Sequence, residues 1–120
     1  MSSNVDSILG LIGLATKARK TVTGAEGCEA AIKSGKSMLV ILAKDASEKT
    51  KMPVIRLCEH RQSQLREFAS KDELGKFTGK PNRAIVVITD SGFAKRITQL
   101  IDIMENEQVD NLAVDIAISG

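Results

Sequence analysis

Three short segments of this chain contain residue types that could hold an anion or a base edge. The first comprises Thr23, Gly24, Ala25, Glu26 and Gly27, which follow a β-branched segment and open a predicted helix. Backbone amides at such a helix start can receive a phosphate oxygen. The Glu26 carboxylate would repel that phosphate, but it could accept a hydrogen bond from the N–H donors of a guanine or cytosine edge. The alternative, that Glu26 only supplies favourable charge at a helix N-terminus, stays open.

The second segment comprises Thr89, Asp90, Ser91 and Gly92, directly after a predicted buried strand. Ligands of open α/β sheets gather beyond the carboxyl ends of the strands, and Asp90 or Ser91 can also cap the next helix. Lys95 and Arg96 follow in the first two turns of that helix, where the helix dipole disfavours cations. Their position therefore favours an anionic partner.

Further cations accompany these segments. Lys44 follows the other predicted buried strand and is the third candidate, as a phosphate contact. Lys17, Arg19 and Lys20 crowd the end of the first predicted helix, where either the helix dipole or a phosphate contact accounts for them.

Residue patterns for catalysis, metals and cofactors are missing from the sequence. It contains no GxxxxGK[ST], HExxH or GxSxG motif, and no CxxC or Cys/His cluster. His60, the single histidine, has no nucleophile pattern beside it and is predicted to be a surface residue. Cys28 and Cys58 are predicted to be reduced, buried thiols. We therefore expect no catalytic residue, no metal and no cofactor.

Composition and charge distribution favour a polyanion partner. The chain has 120 residues, enough for one domain, with 42% hydrophobic and 27% charged residues. It has no Trp, no Tyr and three Phe, which disfavours binding of single strands by base stacking. From residue 99 onward there are five acidic and no basic residues, so residues 1–98 hold all 17 basic groups against ten acidic ones. Such a basic core suggests a polyanion-binding surface.

The sequence also indicates location. The longest apolar stretch, residues 8–15, is too short to cross a bilayer, and the first residues lack the basic cluster of a secretory signal. We expect a cytoplasmic protein with no membrane partner.

The elements that must position these residues alternate between helix and strand. Continuous apolar runs at residues 38–43 and 84–88 are typical of strands buried on both faces. Shorter strands are predicted at 21–23 and 64–68. Helices are predicted at 4–18, 25–34, 46–61 and 71–77, and from Asp90 or Ser91 to about Met104. This alternation predicts a layered α/β sandwich.

Four local details accompany this prediction. Thr50 is expected to cap the third helix, which places Pro53 at its third position. Arg61 is expected on the inward edge of that helix. Gly10 and Gly13 are expected to allow close packing of the first helix. Residues 1–104 are expected to form one domain and 105–120 an acidic extension, whose apolar residues fit both a strand and a helix.

A resemblance to a known family rests on longer motifs. The segments are Leu9-Gly10-Leu11, Lys17-Ala18-Arg19-Lys20, residues 31–36, Ile41-Leu42-Ala43-Lys44-Asp45-Ala46-Ser47 and Val87-Ile88-Thr89-Asp90-Ser91-Gly92-Phe93-Ala94-Lys95. Over about residues 5–104 the chain resembles the kink-turn RNA-binding ribosomal-protein superfamily, in its bacterial YlxQ-like branch. The resemblance implies a three-layer α-β-α sandwich with a four-stranded mixed sheet, binding of structured RNA such as ribosomal or other stable RNA, and no catalysis. A monomer is expected.

The resemblance also implies where RNA binds: at the loop that opens the second helix, and at the loop after the last strand. The superfamily motif Gly-x-Asn-Glu-x-x-Lys starts at Gly24, but its other three positions hold Glu26, Gly27 and Ala30. A protein-interaction module on the same fold, without RNA specificity, is the alternative. A further hypothesis is that the acidic extension shields the basic face from RNA.

Overall fold

The computed structural model describes the backbone of residues 4–119 and the side chains of residues 4–107. The elements alternate as predicted. They are α1 (Asn4–Lys17), β1 (Thr21–Thr23), α2 (Ala25–Lys33), β2 (Leu39–Leu42), α3 (Glu48–Arg61), β3 (Leu65–Glu67), α4 (Lys71–Thr78), β4 (Ile85–Ile88) and α5 (Ser91–Ser119).

The four strands form one mixed sheet in the order β1-β4-β2-β3. β4 runs antiparallel to both of its neighbours, β1 and β2, whereas β2 and β3 are parallel. The register pairs Thr21 with Ile88 and Leu42 with Ile85. The carboxyl ends of β1, β2 and β3 therefore lie at one end of the sheet, and the carboxyl end of β4 lies at the other.

Helices cover both faces of this sheet, which confirms the three-layer α-β-α sandwich. Alternate residues of β2 and β4 point to opposite faces. Leu39, Ile41, Val86 and Ile88 pack with α1, α4 and α5, and the residues between them pack with α2 and α3. All eight side chains of β2 and β4 are buried, as expected for strands covered on both faces.

Three local expectations are wrong. Ser47, rather than Thr50, caps α3 by accepting a hydrogen bond from the Thr50 amide at 3.2 Å, so the helix starts earlier and Pro53 lies inside it. Arg61 is exposed, because it ends α3 beyond the packed segment. Close packing is wrong for Gly10, which has open space where a Cβ would lie, whereas a Cβ on Gly13 would be in ordinary contact with Phe77 of α4 at 3.6 Å.

The last helix is longer than predicted. α5 continues through residue 104 to Ser119, so residues 105–119 are helical and the strand alternative does not apply. Among the α5 residues whose side chains are described, Ala94, Ile97 and Ile101 are buried. Within the described part of the chain, the helices lack the combination of length and hydrophobicity that a membrane span requires.

Candidate nucleic-acid interface

The direction of β4 divides the predicted site residues between the two ends of the sheet. Thr23 ends β1, Gly24, Ala25, Glu26 and Gly27 follow it, and Lys44 follows β2, so they share one end. Together with residues 83 and 84, which precede β4, we call this the Gly24 end. Residues 89–92 follow β4 and lie at the opposite end, here called the Asp90 end, with Lys17, Arg19, Lys20 and Lys95. The structure therefore does not bring the two predicted RNA loops together.

At the Gly24 end, the start of α2 is left without a side-chain cap. Gly24 is the N-cap residue, with φ of 88° and ψ of 145°, a conformation that residues with a Cβ avoid. Within the described part of the chain, no side chain bonds the first-turn amides of α2. Ala25, Glu26 and Gly27 are exposed, so those amides and the Glu26 carboxylate can meet a ligand.

Lys44 lies beside this loop system. The Ala43 amide donates to the Ala84 carbonyl at 2.8 Å, and the Lys44 amide donates to the Ala69 carbonyl at 2.8 Å. The Lys44 side chain is exposed, while its carbonyl accepts a hydrogen bond from Lys51 Nζ at 2.9 Å. Lys51 itself is paired with Glu67 at 2.7 Å, which raises the pKa of the Lys51 amine.

Residues 79–84 connect α4 to β4. The loop packs directly on α4: a Cβ on Gly75 would lie 2.7 Å from the Lys80 carbonyl oxygen and 2.9 Å from the Asn82 backbone. The Lys80 amide donates to the Gly75 carbonyl at 2.8 Å. This packing presents the exposed Lys80 and the half-buried Arg83 beside the start of β4.

Arg83 lies close enough to α2 for its charge to act on Cys28. Burial raises the pKa of the Cys28 thiol to about 11, and the Arg83 charge opposes this increase. One Arg83 terminal nitrogen donates to the Asn82 carbonyl at 3.0 Å, and its buried Nε has no hydrogen-bond partner among the described residues. The signal available in the sequence was the spacing of Lys80 and Arg83 immediately before a buried strand.

At the Asp90 end, hydrogen bonds join the end of α1 to the end of β4. The Thr89 amide donates to the Lys20 carbonyl at 2.9 Å. Arg19 has a φ of 61°, and the amides of Arg19 and Lys20 donate to Thr16 and Ala15, which closes α1. These bonds fix the exposed Lys17, Arg19 and Lys20 on one tight turn.

Residues 89–92 start α5, as the capping interpretation predicted. Asp90 Oδ2 accepts a hydrogen bond from the Phe93 amide at 2.9 Å. A Cβ on Gly92 would lie 3.2 Å from the same carboxylate oxygen. Ser91, Gly92 and Lys95 are exposed. Asp90 is thus engaged in capping the helix, and the charge offered to solvent nearby is that of Lys95 and Arg96.

The thiols and the histidine form no site. Cys28 and Cys58 are both free and buried, and burial raises the pKa of each thiol. His60 is exposed. Among the described residues there is no cluster of three or more His, Cys, Asp or Glu side chains that could hold a metal ion.

Two named bacterial proteins are similar to this chain in sequence. This chain is 36% identical over 92 residues to RNA-binding protein YlxQ of Bacillus subtilis, and the matched region covers 77% of this chain and 92% of that protein. It is 38% identical over 99 residues to RNA-binding protein YlxQ of Enterococcus faecium, covering 82% of this chain and 95% of that protein.

Solved structures with the same fold include a protein of unknown function from Bacillus halodurans. It is 35% identical to this chain, with a TM-score of 0.76, and the match covers 79% of this chain and 96% of that protein. The Giardia lamblia 15.5kD RNA binding protein shares the fold at 18% identity, with a TM-score of 0.71 and coverage of 88% and 92%. Residues 6–98 match the Ribosomal protein L7Ae/L30e/S12e/Gadd45 family. This chain is therefore a member of the L7Ae/L30e family.

Proposed function

We propose that this protein binds structured RNA at the Gly24 end, without catalysis and without a cofactor. The two bacterial relatives that are named RNA-binding proteins align over most of their length with this chain, which supports RNA as the ligand. A ribosomal or other stable RNA is the proposed class of target. The proposed location is the cytoplasm, a compartment that keeps thiols such as Cys28 and Cys58 reduced.

The observation that carries this proposal is the uncapped start of α2 beside a cationic loop. The first-turn residues of α2 are exposed, their amides lack a side-chain cap, and the positive end of the helix dipole lies there. Lys44 and Arg83 lie at this end, and Lys80 precedes Arg83 in the same loop, so these cations can contact neighbouring phosphates. Phosphate contacts of this kind position an RNA, whereas base edges determine its sequence preference.

Glu26 is the proposed base-edge contact. It is exposed in the first turn of α2, and a carboxylate accepts hydrogen bonds but cannot donate them. It would therefore select exposed N–H donors of guanine or cytosine, and such donors are presented by unpaired bases in loops, bulges and turns. A kink-turn is one RNA that offers them. Because three positions of the superfamily motif differ here, we propose binding of structured RNA with a weaker preference for the kink-turn.

Fluorescence anisotropy with labelled RNA hairpins tests this proposal. Log affinity against log salt has a slope of about −0.9 per phosphate contact on a duplex. Replacing both cations in the Lys80→Ala/Arg83→Ala variant should reduce the magnitude of the slope by about 2. The matched control is Arg56→Ala/Lys76→Ala, which removes the same charge from two exposed side chains within α3 and α4. Absence of RNA binding by the folded protein, or equal slopes for the two variants, would overturn the assignment.

A second candidate function is that of a protein-interaction module. A groove of about 720 Å³ lies between α2 and α3, and apolar side chains such as Ile32, Val54 and Leu57 line it. Grooves of this kind accept an amphipathic helix. Folded protein that binds none of the RNA hairpins would favour this function over RNA binding.

A further inference from the structure

The Asp90 end carries a second basic surface, separate from the Gly24 end. We call it the Asp90-end surface. It comprises seven exposed basic side chains, at the ends of α1, α2 and α3 and in the first turns of α5: Lys17, Arg19, Lys20, Lys36, Arg61, Lys95 and Arg96. All of these segments meet here because β4 ends, and β1, β2 and β3 begin, at this end of the sheet.

Contacts link the segments that carry these side chains. Two shallow depressions, of about 320 and 340 Å³, share Met38 and Gln64 in their linings. Lys95 lines the first depression and Arg61 lines the second. The hydrogen bond from the Thr89 amide to the Lys20 carbonyl joins the end of α1 to the same region.

The charge of this surface is only weakly compensated. In the segments that form it, residues 14–20, 34–38, 58–64 and 89–96, the acidic residues are Glu59 and Asp90. Asp90 accepts a hydrogen bond from the Phe93 amide at the start of α5. The ion pairs at Lys33, Lys51 and Arg66 neutralise other cations of the described residues. A concentration of positive charge of this kind favours a polyanion.

The acidic extension of the same molecule does not supply this polyanion. α5 starts at the Asp90 end with Ser91 and is one continuous helix. At a rise of about 1.5 Å per residue, Glu105 lies about 21 Å along the helix from Ser91, and the later acidic residues lie farther away. The helix therefore carries its acidic half away from the Asp90-end surface.

We propose that the Asp90-end surface binds the phosphate backbone of a second RNA segment, so that one protein molecule bridges two segments. This proposal rests on the proposed function, which assigns the first segment to the Gly24 end. The strands of β2 and β4 are about 13 Å long and the two surfaces face opposite directions, so a straight RNA segment that lies on one end does not contact the other. Recognition at the Asp90-end surface is electrostatic and independent of sequence.

Co-capture of two RNA hairpins tests the bridge. One hairpin is immobilised on beads, a second hairpin carries a fluorophore, and wild-type protein is expected to retain the second hairpin on the first at low salt. The Lys20→Ala/Lys95→Ala variant should lose this co-capture, while its affinity for a single hairpin at the Gly24 end changes by no more than about twofold, because distant sites act independently. The Arg56→Ala/Lys76→Ala variant removes the same net charge and should behave as wild type.

The Gly24-end variant Lys80→Ala/Arg83→Ala separates this proposal from the proposed function. If that variant also loses co-capture but the Lys20→Ala/Lys95→Ala variant binds and bridges normally, the second surface is refuted and the first stands. If both variants match the wild type in single-hairpin binding and in co-capture, both assignments are wrong.

Two further outcomes would overturn the bridge. Wild-type protein that binds one hairpin and never co-captures a second has a single RNA surface. Salt-sensitive self-association of the RNA-free protein, measured by light scattering and abolished by Lys20→Ala/Lys95→Ala, would assign the surface to an acidic segment of a second copy instead.

Discussion

The packing of residues 79–84 on Gly75 predicts opposite effects of the same substitution at two glycines. A Cβ at Gly75 would lie 2.7 Å from the Lys80 carbonyl oxygen and 2.9 Å from the Asn82 backbone nitrogen, whereas a Cβ at Gly10 would meet nothing within 4 Å. Both glycines lie inside helices, so alanine gains about 1 kcal/mol of helix propensity at either site. Only at Gly75 must backbone atoms move to accept it.

The expected changes in the free energy of unfolding follow from the gain in helix propensity and the steric cost of the added Cβ. Overpacking against atoms that cannot rotate away costs about 1–3 kcal/mol, so Gly75→Ala should be less stable than the wild type by up to about 2 kcal/mol. Gly10→Ala should be more stable by about 1 kcal/mol. For a chain of this size each kcal/mol changes the melting temperature by about 4 °C, so the two variants should differ by about 4–12 °C. Urea unfolding gives the free energies directly.

RNA affinity gives a second measurement on the same variants. Gly75→Ala displaces the loop that carries Lys80 and Arg83, so we expect weaker binding at temperatures where the variant is fully folded. Gly10→Ala should bind as the wild type does. A Gly75→Ala protein as stable as Gly10→Ala would refute the packing of this loop. A destabilised Gly75→Ala protein with unchanged affinity would remove residues 79–84 from the RNA interface.

Three other changes test the site, an ion pair and the extension. Restoring the superfamily motif with Glu26→Asn, Gly27→Glu and Ala30→Lys should improve discrimination for a kink-turn over a straight duplex by about 1–3 kcal/mol in competition binding. Val22→Ala should accompany these substitutions, because a Cβ at Gly27 would lie 3.0 Å from Val22 Cγ1. A folded variant without this gain would contradict the assignment of the Gly24 loop as the RNA-docking loop. The hydrogen bond from Arg66 lowers the pKa of Asp102. The ion pair therefore stabilises the fold at pH values above the ordinary carboxyl pKa, and this stabilisation is lost as the pH falls through the lowered pKa of Asp102. In urea titrations, Asp102→Asn should lower the free energy of unfolding by at most about 1 kcal/mol at neutral pH and leave it unchanged at strongly acidic pH. Truncation after Met104 removes four acidic residues and raises the formal net charge from +2 to +6. RNA binding should therefore tighten at low salt and return to the wild-type value as salt screens the charges. The melting temperature should change little, because Ala94, Ile97 and Ile101, the buried α5 residues among those whose side chains are described, precede the cut. Weaker RNA binding by a stable truncated protein would instead make the extension part of the binding surface.

The elements and the core could be predicted because burial leaves a direct pattern in the sequence. β2 and β4 are covered on both faces, so their residues form unbroken apolar runs. In α2, Cys28, Ala31 and Ile32 recur at helical spacing and are buried. The resemblance supplied the mixed sheet, and the structure confirms it.

Strand direction was the information that the sequence did not contain. The rule that ligands gather at the carboxyl ends of strands assumes parallel neighbours. On that assumption the loops at Gly24, Lys44 and Thr89 share one edge. Since β4 is antiparallel to β1 and β2, the Thr89 loop lies at the opposite end, and the loop before β4 takes its place beside Gly24.

Local choices between equivalent residues were also beyond the sequence. Ser47 and Thr50 are both good helix caps, and the preference for Thr50 rested on keeping Pro53 in the first turn. The structure instead places Pro53 inside α3 on its exposed side, where the carbonyl of Lys49 that loses its amide donor can bond water. Because this carbonyl is exposed to water, the lost backbone hydrogen bond destabilises the helix less than it would in a buried helix.

The layout of the fold separates stability from binding. The buried clusters lie on the two faces of the sheet, whereas the proposed RNA contacts lie in loops at its two ends. Substituting exposed cations such as Lys80 or Lys95 should therefore leave the core intact. Gly24 and Gly75 are the exceptions, because the first holds a backbone conformation that opens α2 and the second holds the loop of Arg83 in place. At these two glycines an effect on RNA binding is interpretable only together with the free energy of unfolding.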